Sequence, residues 1–337
     1  MEKKLNIKSA EKAGRGRLAY LDVAKGLCML WIVAHHSNLH VWVPNVNGFF
    51  FIIAGCFFSA SATAGAFWQK RVNRLVIPYL FFIALTFAVL GVSRLVRGAE
   101  GLDFGFLFAH LNSCRAANNP LWFLVCLFSM NVLFFAVTRV FKTTAALIAS
   151  VTALAAVGFA VDAWDVHLPM YIVDACQMMP YFLLGFLLNP VLTSLRAEVA
   201  FGSWRVFAGG AVVFAVALVG AWLWLDGMPD WLVRAAWFVE SVGGFAVLMC
   251  VSVWLSGVWL LNFIGRGSLI VFGTHALFVN NFADMVFRPL GMSGVWVDVV
   301  DMAATVAVCA FLVAVFKRYV PWLVGESDML KTKAPAR

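Results

Sequence analysis

An acid, a lysine and three histidines stand inside one apolar run. Residues 17–40, RLAYLDVAKGLCMLWIVAHHSNLH, are long and apolar enough for a helix spanning about 30 Å of hydrocarbon, yet they hold Asp22, Lys25, His35, His36 and His40. Ionisable groups inside a membrane span are costly and by default mark function. His36 follows Lys25 by eleven residues, close to three helical turns or about 16 Å along one face. Asp22 lies one turn before Lys25 on the same side, and His35 sits roughly 100° away. One face therefore carries an acid, a cation and an imidazole. A neutral imidazole, with an ordinary pKa of about 6.5, can take the proton of a hydroxyl as general base or attack an electrophile itself. The same residues also fit an i,i+3 ion pair snorkelling at the interface, with the histidines as polar caps. The helix alone leaves both readings open.

Other polar groups fall at the ends of, or inside, further apolar runs. Lys70-Arg71-Val72-Asn73-Arg74 precedes a Leu-Val-Ile-Pro-Tyr segment, and on a helix Arg71 and Arg74 share a face. Guanidinium forks suit phosphate, although basic residues at a span end also serve orientation or headgroup contact. Asn118-Asn119-Pro120-Leu121-Trp122 opens another run; Asn119 and Trp122 can line a mouth that stacks and hydrogen-bonds a polyol, or mark a Pro-started helix with an interfacial Trp. Ser268 and His275 are seven residues apart on one face, with Arg266 directed elsewhere; His275 reads as a core hydrogen-bonder or as a direct catalytic group. Glu240, alone in AAWFVESVGGFAVLM, needs a partner, with Lys25, His36, His275 and Arg234 as candidates. Ala54-Gly55 reads as a close helix contact, against the first span.

These residues must be held by membrane helices. Of 337 residues, 63% are hydrophobic and 12% charged, against about 45–50% apolar in a soluble domain. No sizeable soluble domain fits. The basic N-terminus precedes a run too long and too polar for a cleaved signal peptide, so the run is expected to stay as a first span. Hydropathy predicts about ten spans, near 18–39, 48–66, 75–96, 120–140, 144–161, 170–189, 206–225, 234–256, 259–282 and 296–316. Residues 103–112 are too short to cross and are expected to be re-entrant or interfacial. With ten spans, eighteen Lys and Arg fall on the side of both termini and five on the other, which predicts cytoplasmic termini. The net charge of +8 thus reflects loop sorting and not nucleic-acid affinity. The seven cysteines are scattered without a C-x-x-C pair, so neither a metal site nor a disulfide framework is expected. There is no Walker loop, G-x-S-x-G elbow or H-E-x-x-H motif.

Taken in order, Leu21-Asp22-x-x-Lys25-Gly26, His36-Ser37, Phe50-Phe51-x-x-x-Gly55, Arg71-x-x-Arg74-x-x-x-Pro78-Tyr79, Pro120-Leu121-Trp122-Phe123-Leu124, Gly185, and Ile264-Gly265-x-x-Ser268 with His275 resemble membrane acyltransferase family 3, the integral-membrane O-acyltransferases of surface glycans. The resemblance covers nearly the whole chain and is closest to members consisting of the membrane domain alone. It implies an all-α, multi-pass protein of the bacterial cytoplasmic (inner) membrane. A membrane acyltransferase domain over 18–316 would lie between a basic tail, 1–17, and a second tail, 317–337. It implies transfer of an acyl group, acetyl before others, from acetyl-CoA or another acyl-CoA supplied from the cytoplasm. The acceptor would be a hydroxyl of an extracytoplasmic or lipid-linked glycan.

The family's basic-residue-x10-histidine pattern falls on Lys25 and His36, and its catalytic role carries to His36, with Lys25 and Asp22 tuning the path. Its paired arginines fall on Arg71 and Arg74, as ligands of the CoA phosphates. Trp122, Asn119 and His35 are expected to face the acceptor, and Glu240, Ser268 and His275 to support the site. The His35-His36 doublet departs from the family, which often has a small residue before the histidine; which imidazole acts stays open, with helical phase favouring His36. Partners expected are acyl-CoA, the glycan or lipid-linked sugar and membrane lipids, without metal or nucleic acid, and a homodimer is left open. The competing reading is a multi-span transporter with Asp22, Lys25, Glu240 and His275 as a relay, though neither an inverted repeat nor a pair of interrupted helices supports it.

Overall fold

The computed structural model describes residues 18–39, 45–96, 118–166, 168–194, 196–224, 230–280 and 283–330, and every regular element among them is helical. In chain order these are α1 (Ala19–His36), α2 (Val46–Cys56), α3 (Ala64–Arg71), α4 (Ile77–Val96), α5 (Trp122–Val140), α6 (Thr144–Ala163) and α7 (Ile172–Leu192), followed by α8 (Ala197–Phe201), α9 (Trp204–Trp224), α10 (Asp230–Trp254), α11 (Trp259–Arg266), α12 (Ser268–Thr274) and α13 (Val295–Tyr319). A π-helical turn, Val72–Val76, joins α3 to α4.

Where about ten spans are expected from hydropathy, six described helical segments have the length and composition to cross a membrane. They are Ala64–Leu95, Asn119–Val140, Thr144–Ala163, Pro169–Leu192, Leu232–Trp254 and Val295–Tyr319, and the pair α11–α12 makes a seventh if taken as one broken span. Two expected spans differ in detail. The run 48–66 is not one helix: α2 ends at Cys56, and Thr63 caps a new helix by accepting from the Ala66 N–H at 3.3 Å. Ser59, Ser61 and Thr63 offer the backbone local side-chain partners that compete with helix continuation. The run 259–282 breaks at Gly267, where a Cβ would lie 2.4 Å from a Val313 methyl. The expected short element at 103–112, the tail 1–17 and residues 331–337 lie outside the described residues.

The chain divides into two compact units. The first draws on Met1–Cys28, Pro44–Phe57 and Tyr181–Arg266, and two glycine crossings organise it. Gly55 of α2 faces the Phe182 carbonyl and Gly185 of α7 faces the Ile52 carbonyl; an added Cβ would stand 2.0 and 1.8 Å from those oxygens. Gly26 and Gly265 repeat the arrangement against the carbonyls of Leu261 and Asp22, at 2.3 and 1.7 Å. Lipid tails are as apolar as leucine, so helices associate through such close backbone approach and a few polar contacts. Gly55 therefore does make a close contact, but with α7 and not with the first span. Here Tyr20 donates its hydroxyl to the Leu192 carbonyl, and Asn189 Nδ2 donates to the Cys56 carbonyl at 2.6 Å.

The second unit draws on Met29–Val43, Phe58–Pro180 and Gly267–Arg337. Its polar knot is Asn118, 2% exposed, whose Nδ2 donates to Thr86 Oγ1 and to the Gly273 carbonyl, both at 3.0 Å. One amide thus ties α4, the start of α5 and α12. Aromatic contacts continue the packing, with Phe123 against Phe272 at 5.5 Å and Phe67 stacked on Phe135 at 4.0 Å.

Candidate functional site

Two imidazoles meet in the second unit. His36 is the last residue of α1 and His275 directly follows α12; their ring centroids are 5.4 Å apart and tilted by 41°. His35 is edge-on to His36 at 5.5 Å. The pair is asymmetric: His36 is exposed and His275 wholly buried. His275 Nδ1 lies 2.9 Å from the Phe272 carbonyl and 3.1 Å from that of Val271. Carbonyls only accept, so Nδ1 carries a proton, and in the neutral ring Nε2 is the bare acceptor. That Nε2 is buried without a hydrogen-bond partner among the described residues. The site therefore offers an accessible imidazole beside a buried one whose tautomer the backbone dictates.

Asp22 and Lys25 fall in the first unit and form a different cluster. Asp22 is 2% exposed; its carboxylate lies 2.7 Å from Lys25 Nζ and 3.6 Å from Arg266 Nε. A buried carboxylate with two cations is a compensated charge. Arg266, which the heptad phase separates from Ser268 and His275, thus has its own place. Ser268 opens α12 and is half-buried.

The two arginines do not share an environment. Arg71 lies over the faces of Phe58 and Phe67, 5.6 and 5.4 Å from the ring centroids, and its Nε–H is buried without an acceptor among the described residues. Arg74 donates to the Gly325 carbonyl and stands 3.4 Å from the Asp328 carboxylate. Between them Asn73, fully buried, accepts from the N–H groups of Met329 and Leu330 and donates to the Leu330 carbonyl. The segment before residue 331 is therefore seated on the π-helical turn. Among the described residues, Arg71 has a buried donor without an acceptor, as an anion-binding guanidinium would have.

α5 measures the distance between the arginine and the imidazoles. Phe123 touches Phe272, itself 6.2 Å from His275, while Phe135 stacks on Phe67 beneath Arg71. Twelve residues separate Phe123 from Phe135, about 18 Å of helix.

Trp122 packs on Tyr171 at 5.8 Å, and Asn119 is exposed one turn earlier. Glu240 is 6% exposed, and its Oε1 has no hydrogen-bond partner among the described residues. No group of His, Cys, Asp or Glu able to hold a metal occurs among the described residues.

Three residues at the imidazole pair escape sequence reasoning. Asn280 donates Nδ2 to the His36 carbonyl at 3.2 Å and accepts from the Asn38 N–H at 3.0 Å. Asp301, 1% exposed, accepts from the N–H groups of Asn280 and Ala283, each at 2.8 Å. Asn118 carries the knot beside Gly273, where the sequence favours Asn119. Asp301 had a visible signal, an acid inside an apolar run, but nothing in the sequence names its partner.

A family model described as an acyltransferase domain matches residues 18–316. No curated protein and no solved structure matches the chain.

Proposed function

The chain belongs to the acyltransferase-domain family, and from that premise we propose that it moves an acyl group, acetyl before others, from cytoplasmic acyl-CoA to a hydroxyl of an extracytoplasmic or lipid-linked glycan. The match over 18–316 supports this reading over the transporter alternative. The multi-pass helical architecture suits a reaction whose donor and acceptor come from opposite sides of a bacterial inner membrane.

His36 is the general base in this proposal. Its ring takes the proton of the acceptor hydroxyl, the freed oxygen attacks the thioester carbon, the C–S bond breaks, and CoA leaves as the thiolate, which the protonated imidazole or water then neutralises. His275 supports His36 by presenting Nε2 as a fixed acceptor to a ring proton. Arg71, with its unmet Nε–H, holds a phosphate of CoA, and Arg74 joins it if the Asp328 contact opens. The acyl-bearing arm then runs along the roughly 18 Å of α5 between the two clusters. Trp122, Asn119 and His35 face the sugar. Asp22 and Lys25 hold α1 rather than touch the reacting atoms, because the Asp22 charge is already met by Lys25 and Arg266.

Transfer of radiolabel from acetyl-CoA to a cell-envelope glycan by purified protein tests the proposal. Wild type should label the glycan, and His36→Ala and Arg71→Ala should not at donor concentrations that saturate wild type. Equal labelling by all three would remove both residues from the site. No labelling with acyl-CoA donors of any chain length would remove the donor class.

A further inference from the structure

We infer that Asn280 and Asp301 are positioning residues for this acyl transfer, because they clasp the helix end that carries His36 and so set its distance from His275. The inference rests on the reading of His36 as the reacting imidazole. A helix leaves its last carbonyls without intrahelical donors, and α1 ends on the residue proposed for the chemistry. The Asn280 amide meets that end twice: Nδ2 donates to the His36 carbonyl at 3.2 Å and Oδ1 accepts from the Asn38 N–H at 3.0 Å. Both faces of one amide are thus spent on the backbone of residues 36–38, which holds the peptide planes on either side of Ser37.

The clasp is itself held. Asn280 adopts φ +66°, a left-handed conformation that asparagine tolerates better than most residues. Its N–H donates to Asp301 Oδ2, and the Ala283 N–H donates to Asp301 Oδ1, both at 2.8 Å. Asp301 is 1% exposed on α13. A buried carboxylate bonded to two backbone donors holds both of those N–H groups in place. The same turn follows the 3-10 segment His275–Leu277 closely. Asp301 therefore anchors a turn that holds His36 through Asn280 and follows directly from His275. Among the described residues, the Asp301 carboxylate bonds to the Asn280 N–H, and the Asp284 N–H donates to the Asn280 carbonyl at 3.0 Å. Asp301 contacts neither imidazole by hydrogen bond, so its effect passes through Asn280.

Three variants, assayed with the labelled-donor reaction under saturating and limiting acyl-CoA, test this. Asn280→Gly keeps the left-handed turn without strain and deletes both clasp bonds. Asn280→Asp keeps the acceptor for Asn38 and deletes only the donor to His36. Asp301→Asn leaves Asn280 intact and loosens its turn. A displacement of a reacting group by about 1 Å can cost about 100-fold in rate. Asn280→Gly should therefore lower kcat by about 10–100-fold with KM for acyl-CoA within about twofold of wild type. The two others should lower kcat by less, in the same direction. Gel filtration and thermal midpoints separate a folding loss from a positional one, and Asn280→Asp carries the test if Asn280→Gly fails to fold. kcat within twofold of wild type in a folded Asn280 variant overturns the inference. So does a KM that rises in proportion while kcat holds. His36→Ala is run alongside: if it retains activity, the reading of His36 fails, whereas an inactive His36→Ala beside a fully active Asn280→Gly sinks only the clasp.

Discussion

At the scale of the residue, the buried imidazole is the informative one. His275 has no exposed surface, its Nδ1 is committed to two carbonyls and its Nε2 has no partner among the described residues. A buried polar atom without a partner costs about 1–3 kcal/mol, and the proposed role of His275 beside His36 would account for that cost. If His36 and His275 act as one unit, their losses will not add. His36→Ala should lower kcat by about 10²–10⁴-fold, and His275→Ala should also lower it. The double variant should be no slower than His36→Ala alone. Independent, multiplicative losses in single-turnover assays would mean that His275 is only packed beside the site. Asp22 presents the opposite case. Its charge is met by Lys25 at 2.7 Å and by Arg266 at 3.6 Å, which gives it a structural role in the first unit. Alignment on one helical face, which made Asp22, Lys25 and His36 look like one chemical device, is an outcome of helical period. It does not by itself join their roles.

At the scale of the element, the glycine crossings decide where helices sit. Gly185→Ala would set a methyl 1.8 Å from the Ile52 carbonyl oxygen, a backbone atom that cannot rotate aside. Overpacking of this kind costs about 1–3 kcal/mol, so the thermal midpoint in detergent should fall by several degrees. Gly209→Ala in α9 is the control. Nothing lies within 4 Å of its added methyl, and alanine is favoured over glycine in a helix by about 0.5–1 kcal/mol. Its midpoint should hold or rise, and equal losses in both would show that the crossing does not carry stability. Much of this architecture was legible before any coordinates. Long apolar runs specify helices such as α5, α6 and α13 because hydrocarbon demands a continuous stretch with its backbone bonds met internally. The interruptions were not legible. The break after Cys56 depends on Ser and Thr finding local backbone partners, and the π-helical turn at Val72–Val76 sits in an unbroken apolar and basic stretch. The imidazole pair was half legible. Both histidines stand out as polar groups in apolar runs, but their 5.4 Å approach is a tertiary fact. The residues that hold His36 were not legible at all, since Asn280 and Asp301 act through backbone atoms far away in sequence.

At the scale of the whole molecule, the proposed function turns on which end of each helix faces the cytoplasm, the side from which the proposed donor would arrive. The second unit supplies a local frame. At one end of α5, Asn118 bonds to Gly273, two residues before His275. At the other end, Arg139 donates to the Ala62 carbonyl, next to the Thr63 cap of α3, the helix that ends at Arg71. The connection 141–143 and the start of α3 therefore lie at one end, and the imidazole pair lies toward the other. Lys and Arg cluster at the first end, with Lys70, Arg71, Arg74, Arg139 and Lys142. Asp162 and Asp165 stand at the far end of α6, where Trp164 is 76% exposed. Retention of Lys and Arg on the cytoplasmic side predicts the first end as cytoplasmic. Single cysteines introduced into a cysteine-free background read this directly. A membrane-impermeant thiol reagent should label Trp164→Cys in intact spheroplasts and Lys142→Cys only after permeabilisation. The reverse pattern would put Arg71 on the outer side, away from any cytoplasmic acyl-CoA, and would overturn the assignment of donor and acceptor ends while leaving the imidazole pair untouched. Labelling of both in intact spheroplasts would mean that α6 does not cross. The proposed path along α5 has a direction only if the first pattern holds, because His36 can draw a proton from an external hydroxyl only at the end opposite the donor's phosphates.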